Sequence, residues 1–355
     1  MKQGSVQKNR GNIVKRGLYI LLSLIFLLSV VTSSANASQS FDEYPITSPN
    51  TMPLSIISDG SNSLWYLQRG TSNAIARMTT SGAVTDYSLP NASYPKVSAQ
   101  SLVLGTDGNP WFIGLAQDTS SHWWNVIGKV DVSTGGTTVY PFQPQISGYY
   151  LGSIGVGPDG NLWFIYAANN STGPSTLYSA TLAGTITSRY TWYTQVSDGG
   201  IVTGSDGRLW VSDNIALKLW AFTVSPITGA ITASTSYTLP SATSAYLATG
   251  TSPDGNIWFA NVNNNKITSV TPTGTFTEYT LPSGTSTSRL TAGPDGALWF
   301  TDTTNNKVGR MTTTGSTTLY SVPTANSGIG TITAGPDNAI WFTEVYGNKI
   351  GRLGY

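Results

Sequence analysis

The sequence of 355 residues contains no cysteine and only one histidine, and 10% of its residues are charged. Without cysteine the chain has no disulfide framework, no thiolate nucleophile and no lipid-modified cysteine. Its fold must therefore be stabilised by a large core, which a chain of this length can provide. The scarcity of charge argues against the dense basic surface that nucleic-acid binding requires, so we expect no nucleic-acid partner.

The basic residues that are present concentrate at the N-terminus. Five of the eighteen precede an apolar run over residues 18–31, namely Lys2, Lys8, Arg10, Lys15 and Arg16. The small residues Ala35-Asn36-Ala37 follow, and this order is typical of a secretory signal peptide, residues 1–37. The apolar run is shorter than a membrane span of about 20 residues, so we expect cleavage rather than a retained anchor. The mature chain, with 13 basic and 17 acidic residues, is then expected to be secreted or at the cell surface.

Seven segments of the mature chain repeat around one tryptophan at intervals of 41 to 52 residues. These tryptophans are Trp65, Trp111, Trp163, Trp210, Trp258, Trp299 and Trp341. A period of this length, with several short strands per unit, is typical of a β-propeller blade. In the sixth repeat, Gly293-Pro294-Asp295-Gly296 predicts a tight turn, because proline presets φ and glycine accepts a positive φ. The pattern predicts four antiparallel strands in this repeat, at residues 289–292, 297–301, 307–311 and 317–322.

The two ends of the chain share one repeat. Six repeats finish with a strand such as residues 277–282, whereas the seventh stops at Leu353-Gly354-Tyr355 without one. A matching segment occurs at the start of the mature chain, at residues 41–46. We therefore predict an all-β fold, a seven-bladed propeller of four-stranded antiparallel blades over residues 38–355. The N-terminal strand is predicted to close the ring by joining the blade of Trp341.

The repeat Gly-Pro-Asp-Gly-x-Leu/Ile-Trp-Phe, followed by Asn-Lys-Ile/Val-Gly-Arg, resembles the repeat of the streptogramin B lyase (virginiamycin B lyase) family. The resemblance is strongest over residues 250–355, where residues 306–310 and 348–352 carry the second motif. It implies a seven-bladed propeller that opens a cyclic depsipeptide by elimination at its ester bond. It also implies a bound magnesium ion, and histidines at the start of the innermost strands with a glutamate nearby.

The positions that match those histidines carry side chains that do not exchange protons near neutral pH. They are Met52, Gln100, Gly152, Gly199, Leu247, Ser288 and Gly330. Elimination needs a base to remove a proton beside a carbonyl, so this sequence favours a monomeric binding module for an extracellular glycan, peptide or small molecule. The alternative is a divergent, magnesium-dependent carbon–oxygen lyase that acts on a cyclic ester, with Glu344 or Asp302 as its base.

Four neighbouring repeats carry an oxygen-bearing side chain three residues after the tryptophan. They are Asp213, Asn261, Asp302 and Glu344. Propeller topology predicts that these strand ends share one face, where oxygen ligands suit magnesium or calcium. The alternative is a ring of solvated polar residues without a metal.

The same face is predicted to bear the two longest loops between second and third strands. One contains His122, Trp123 and Trp124, and the other spans residues 167–176. Adjacent exposed tryptophans offer flat stacking surfaces for a ligand, although one of them packing back on its blade explains them equally well. His122 is either a surface residue or an acid–base group. Tyr166 and Gln100 complete the predicted ligand-binding set.

Overall fold

The propeller is formed by strands alone. The computed structural model describes Met1 and residues 39–70, 73–168, 173–193, 198–240, 245–247, 252–262 and 264–355. Apart from Met1, the predicted signal segment lies outside the described residues. Within these ranges the chain has no α-helix, and hence no helix long and apolar enough to cross a membrane.

Seven four-stranded antiparallel sheets make the blades; six consist of four consecutive strands, and the seventh combines the last three strands of the chain with the first. The innermost strands are β2 (Pro53–Ser58), β6 (Lys96–Leu104), β10 (Tyr149–Val156), β14 (Asp198–Thr203), β18 (Ala245–Leu247), β22 (Thr287–Ala292) and β26 (Ile329–Ala334). The second strands are β3 (Ser63–Gln68), β7 (Pro110–Gln117), β11 (Leu162–Ala168), β15 (Leu209–Asp213), β19 (Ile257–Asn261), β23 (Leu298–Asp302) and β27 (Ile340–Glu344).

The outer half of each blade contains a third and a fourth strand. The third strands are β4 (Ala74–Thr79), β8 (Trp123–Val130), β12 (Ser175–Ala180), β16 (Lys218–Val224), β20 (Lys266–Val270), β24 (Lys307–Met311) and β28 (Lys349–Gly354). The fourth strands are β5 (Val84–Ser88), β9 (Thr137–Pro144), β13 (Ile186–Trp192), β17 (Ile231–Thr238), β21 (Phe276–Thr280), β25 (Thr317–Ser321) and β1 (Ser40–Pro45). The predicted seven blades are confirmed.

The core lies between neighbouring blades. The second strands are buried on both faces, as their continuous apolar sequences predict, and the seven repeated tryptophans are at most 1% exposed. Trp341 of the seventh blade packs in one cluster with Leu64 and Met78 of the first blade. Blade stacking therefore supplies the large buried core that a cysteine-free chain needs.

The ring closes as predicted from the ends of the chain. Strand β1 pairs antiparallel with β28, in a register that places Phe41 opposite Leu353 and Pro45 opposite Lys349. The innermost strands β2 and β26 are also in contact, so the first and last blades are neighbours. The N-terminal strand thus covers what would otherwise be an open edge of the seventh blade.

The tight turn before each second strand is fixed by an aspartate. In the sixth blade, Asp295 accepts a hydrogen bond from the indole nitrogen of Trp299 (3.0 Å), and Gly296 adopts the positive φ of 74°. The corresponding indole–aspartate bond occurs in the second to seventh blades. In the first blade the aspartate, Asp59, lies six residues before Trp65 rather than four. The indole nitrogen of Trp65 has no hydrogen-bond partner among the described residues.

Candidate functional site

The main cavity lies at the centre of the ring. It has a volume of ≈ 490 Å³ and is lined by residues from the innermost strands of all seven blades. The lining alternates apolar residues with hydroxyl and amide groups, among them Ser55, Gln100, Ser153 and Thr331. A cavity of a few hundred Å³ with a few polar groups on an apolar wall is typical of a small-molecule site.

Interruptions of strand pairing project side chains into this cavity. The register between first and second strands shifts at one point in six of the blades. Gln100 lies at the shift in β6, Ser153 at the shift in β10, and Thr331 at the shift in β26. A bulge re-aims side chains at the end of a strand, which is why such irregularities are common beside functional sites.

Among the lining residues that the structure describes, two are arginines and none is acidic. Arg289 lies at the bulge of β22, and its guanidinium is 4.7 Å from the centre of the Tyr246 ring. Arg69 directly follows the end of β3. The backbone there is held by a hydrogen bond from the amide of Gly70 to the carbonyl oxygen of Thr51 (2.8 Å).

Sequence reasoning missed Arg69, Arg289 and Tyr246. Position 289 sits next to Ser288, which the family resemblance had singled out, so a signal for Arg289 was present. Arg69 and Arg289 belong to blades one and six, and nothing in a repeat pattern shows that both side chains reach one cavity.

Glu344 is fully buried and does not line the cavity. It ends strand β27, beside Lys349 of β28. Neither carboxylate oxygen of Glu344 has a hydrogen-bond partner among the described residues. Burial, and the nearby negative charge of Glu43, raise the pKa of Glu344 to about 7, against a smaller lowering by Lys349 and Thr324. The neighbouring Lys349 ammonium is bonded to Glu43 instead (2.7 Å).

Asp302 stabilises a turn and a connection between blades. Its carboxylate is fully buried and accepts hydrogen bonds from the amide of Ser286 (3.1 Å) and from the side chain of Asn305 (2.8 Å). Asp302 therefore fixes the chain that enters the sixth blade, and it too is absent from the cavity wall.

Asp213 and Asn261 are likewise buried, at 1% and 2% exposure. Asp213 accepts hydrogen bonds from the amides of Ile215 and Ala216, and burial raises its pKa. The amide of Asn261 donates to Thr268 (3.0 Å). The expected alternative to a metal site, a solvated ring of polar side chains, is therefore wrong, because these strand ends are covered by their own turns and by neighbouring chain.

A site for a hard cation is not assembled by these residues. Among the described residues, no group of three or more His, Cys, Asp or Glu side chains is placed to hold a metal ion. Among the described residues that line the cavity, the charged groups are guanidinium groups, which repel cations. The magnesium ion that the family resemblance implies does not fit this donor set.

The segment with His122, Trp123 and Trp124 is not a long loop. Strands β7 and β8 each have eight residues, and their ladder extends to the pairs Ala116–Trp124 and Gln117–Trp123. The additional sequence lengthens a hairpin, which the loop interpretation missed because the tryptophans have high β-propensity.

The two tryptophans differ in environment. Trp124 is half-buried against the core between the first two blades, and its indole nitrogen donates to Asp118 (3.0 Å). This matches the alternative in which one tryptophan packs back on its blade. Trp123 is also half-buried, without a place in that core. The side chain of His122 is 73% exposed and lies 3.6 Å from the Asp118 carboxylate.

Tyr166 is buried beneath aromatic neighbours rather than presented to solvent. Its ring stacks on Tyr149 with centroids 4.9 Å apart and meets Phe142 edge-on. Burial raises the pKa of the Tyr166 hydroxyl. Of the five residues predicted to bind a ligand, Gln100 alone lines the central cavity.

Comparison with known proteins identifies the family. The model of the virginiamycin B lyase family matches residues 31–231 and 185–355. The chain belongs to this family. Among curated proteins, none matches the sequence at a significant level.

Solved virginiamycin B lyase structures are similar over nearly the whole propeller. A streptogramin B lyase is 28% identical, with a TM-score of 0.73, covering 89% of this chain and 97% of that chain. A virginiamycin B lyase from Staphylococcus aureus is 25% identical with the same TM-score, covering 89% and 99%. A catalytically inactive histidine-to-alanine variant of the Staphylococcus aureus enzyme, solved with quinupristin, is 26% identical, with a TM-score of 0.73 and the same coverage.

The positions that match the virginiamycin B lyase histidines lie at or beside the innermost strands. Gln100, Gly152 and Leu247 line the cavity. A Cβ atom at Gly330 would come within 2.6 Å of the Thr343 hydroxyl, so a histidine there would force Thr343 to move. The scaffold therefore places three of these positions on the cavity wall, while the sequence supplies no histidine at any of the seven.

Proposed function

We propose that this member of the virginiamycin B lyase family binds a small molecule in its central cavity and does not catalyse elimination. The observation that carries the proposal is the cavity of ≈ 490 Å³, which all seven innermost strands line. Its volume suits a ligand of drug-like size, and its wall combines apolar surface with fixed polar groups.

The position of the carboxylates argues against the alternative, a divergent lyase. A general base must come within about 2.6–3.2 Å of the proton that it removes, or act through one water. Glu344 and Asp302 are fully buried and lie outside the cavity wall. The one histidine, His122, is at the exposed turn of the β7–β8 hairpin.

A relative supports the separation of binding from turnover. The Staphylococcus aureus variant that lacks one histidine is described as catalytically inactive, and its structure was solved with quinupristin. A propeller of this family can therefore be crystallised with a ligand after its catalytic activity has been lost. The present chain has side chains without proton-transfer capacity at all the matching positions.

A glycan or peptide ligand at the β7–β8 hairpin stays a second, weaker proposal. It would use Trp123 and His122, since Trp124 contributes to the core between blades. Export of the mature chain is proposed on the N-terminal sequence alone.

The test of the proposal is incubation of the purified protein with quinupristin and magnesium, followed by chromatography. Chromatography is needed because elimination breaks the ester C–O bond and removes a proton from the neighbouring carbon, so the opened ring keeps the original mass. We expect the retention time to be unchanged, with the Staphylococcus aureus enzyme as positive control. Ring opening that Glu344→Gln abolishes would overturn the proposal and establish the lyase alternative.

A further inference from the structure

The outer edge of the fourth blade differs from the outer edges of the other six blades. Strand β17 (Ile231–Thr238) is the last strand of its sheet, and none of the described strands pairs with its outer edge. An edge strand presents a row of backbone N–H and C=O groups that can pair with a further strand. Proteins normally prevent this pairing with charged side chains, with proline or with a short edge strand.

Each of the other outer strands has one of these protective features. Four of them, β1, β5, β13 and β21, contain charged side chains, namely Asp42 and Glu43, Asp86, Arg189, and Glu278. Strand β9 contains Pro141 and Pro144. Strand β25 is uncharged but has five residues, of which two are exposed. The addition of a strand is therefore disfavoured at these six edges.

Strand β17 has none of these features. Its eight residues, Ile-Thr-Ala-Ser-Thr-Ser-Tyr-Thr, include no charge and no proline, and five of the eight are exposed. Its ladder with β16 is irregular only at Thr232, so residues 233–238 form a regular edge. Threonine and tyrosine favour strands, and an uncharged segment of about six residues without proline is typical of sequences that pair edge to edge.

The composition of β17 suits pairing with a second copy of itself. Antiparallel pairing about the middle of β13 would place Arg189 opposite Arg189, and in β21 it would place Glu278 opposite Glu278. Like charges directly opposite each other are destabilising. About the middle of residues 233–238, the same pairing places Thr235 opposite Ser236. Cross-strand pairs of serine and threonine form hydrogen bonds, so self-pairing of β17 is favoured rather than opposed.

We propose that β17 is a dimerisation edge, through which two copies of this chain join their fourth blades in one antiparallel ladder. Pairing consumes the one edge of this kind among the described strands of each copy, so the assembly closes at a dimer. A single pair of strands buries less surface than a stable interface of roughly 1,200–2,000 Å², so the dimer forms at high protein concentration. The dimer replaces the monomer expected from the sequence. The central cavity lies outside the interface, because innermost strands line it.

Sedimentation equilibrium of the purified protein over a series of concentrations tests the proposal. We expect the weight-average mass to rise from that of one chain toward that of two and to rise no further. The variant Thr235→Lys should remain a monomer throughout, because the pairing brings two added ammonium groups together across the twofold axis. Thr318→Lys makes the same change at an exposed threonine of β25 and should leave the dimer intact.

A mixture of two charged variants shows whether one β17 edge meets another. Thr235→Lys and Thr235→Glu should each be monomeric alone, and an equimolar mixture at low salt should recover the dimer, because opposite charges then meet. Thermal unfolding of every variant shows that it is folded.

A mass of one chain at every concentration would overturn the proposal. So would a dimer that Thr235→Lys leaves intact, an equal loss of the dimer in Thr318→Lys, or a mixture of the charged variants that stays monomeric. A mass that grows beyond two chains would contradict closure at a dimer.

Discussion

The ring of Tyr44, from the first strand of the propeller, stacks on Trp341 of the last blade, with centroids 5.4 Å apart and planes 14° apart. The same contact occurs inside a continuous blade, where Tyr320 stacks on Trp299 at 5.6 Å. Two ion pairs accompany it at the seam, Lys349 with Glu43 (2.7 Å) and Arg352 with Asp42 (2.9 Å). The N-terminal strand thus reproduces the packing of an ordinary fourth strand.

Because the two contacts are equivalent, removing the tyrosine from either blade should lower the free energy of unfolding by the same amount. Tyr44→Ala and Tyr320→Ala should each lower the free energy of unfolding by about 1–3 kcal/mol, because each removes a half-buried aromatic pair. Urea denaturation measures both. A loss for Tyr320→Ala with no loss for Tyr44→Ala would show that the seam is not closed in solution.

The indole–aspartate bond predicts a difference between two otherwise similar tryptophans. Trp65 and Trp299 each lie between a tyrosine and an arginine, but only Trp299 donates to an aspartate among the described residues. Trp299→Phe should therefore lower the free energy of unfolding by about 1–2 kcal/mol more than Trp65→Phe does, since Trp299→Phe also removes a hydrogen bond to a charged acceptor. Equal costs in urea denaturation would contradict this role for Asp295.

Glu344 predicts how stability depends on pH. The pKa of about 7 in the folded protein lies above the ordinary value of 4.5, so ionisation is harder in the folded state than in the unfolded state. The stabilisation by the protonated form is complete below about pH 4.5 and is lost as the pH rises to about 7. A shift of this size is worth on the order of 3 kcal/mol.

The variant Glu344→Gln should therefore be more stable than the parent protein above pH 7 and should lack the decline between pH 4.5 and 7. Denaturation midpoints across this range provide the measurement. Glu278→Gln, which removes a surface partner of Lys266, is the matched control and should keep the decline. A parent protein with no decline would mean that water reaches the Glu344 carboxylate.

The β7–β8 hairpin predicts unequal roles for two adjacent tryptophans. Trp124→Ala should lower the free energy of unfolding by about 1–3 kcal/mol, because the side chain packs on the core and donates to Asp118. Trp123→Ala should lower the free energy of unfolding by less than Trp124→Ala does. If the single variants are equally stable in urea, Trp124 is not part of the core, and the stacking surface predicted from the sequence regains its support.

The architecture was predictable because each blade repeats a local pattern. Trp299 and its six equivalents mark the second strands, and the segment at residues 41–46 matches the strand that the last repeat lacks. The site was harder to predict. Asp302 was assigned to a cation site because strand ends share a face, yet turn and connection hydrogen bonds direct its carboxylate away from the cavity. The presence of Arg69 and Arg289 on the wall of one cavity depends on ring closure, which no single repeat reveals.

The most direct test of the account is a crystal structure of the protein soaked with 2-naphthoate. We expect electron density for the compound inside the central cavity, with its rings on the apolar wall around Leu247 and Leu290. Density at the β7–β8 hairpin alone, or a cavity that stays empty at concentrations that saturate binding in solution, would contradict the assignment of the cavity as the binding site.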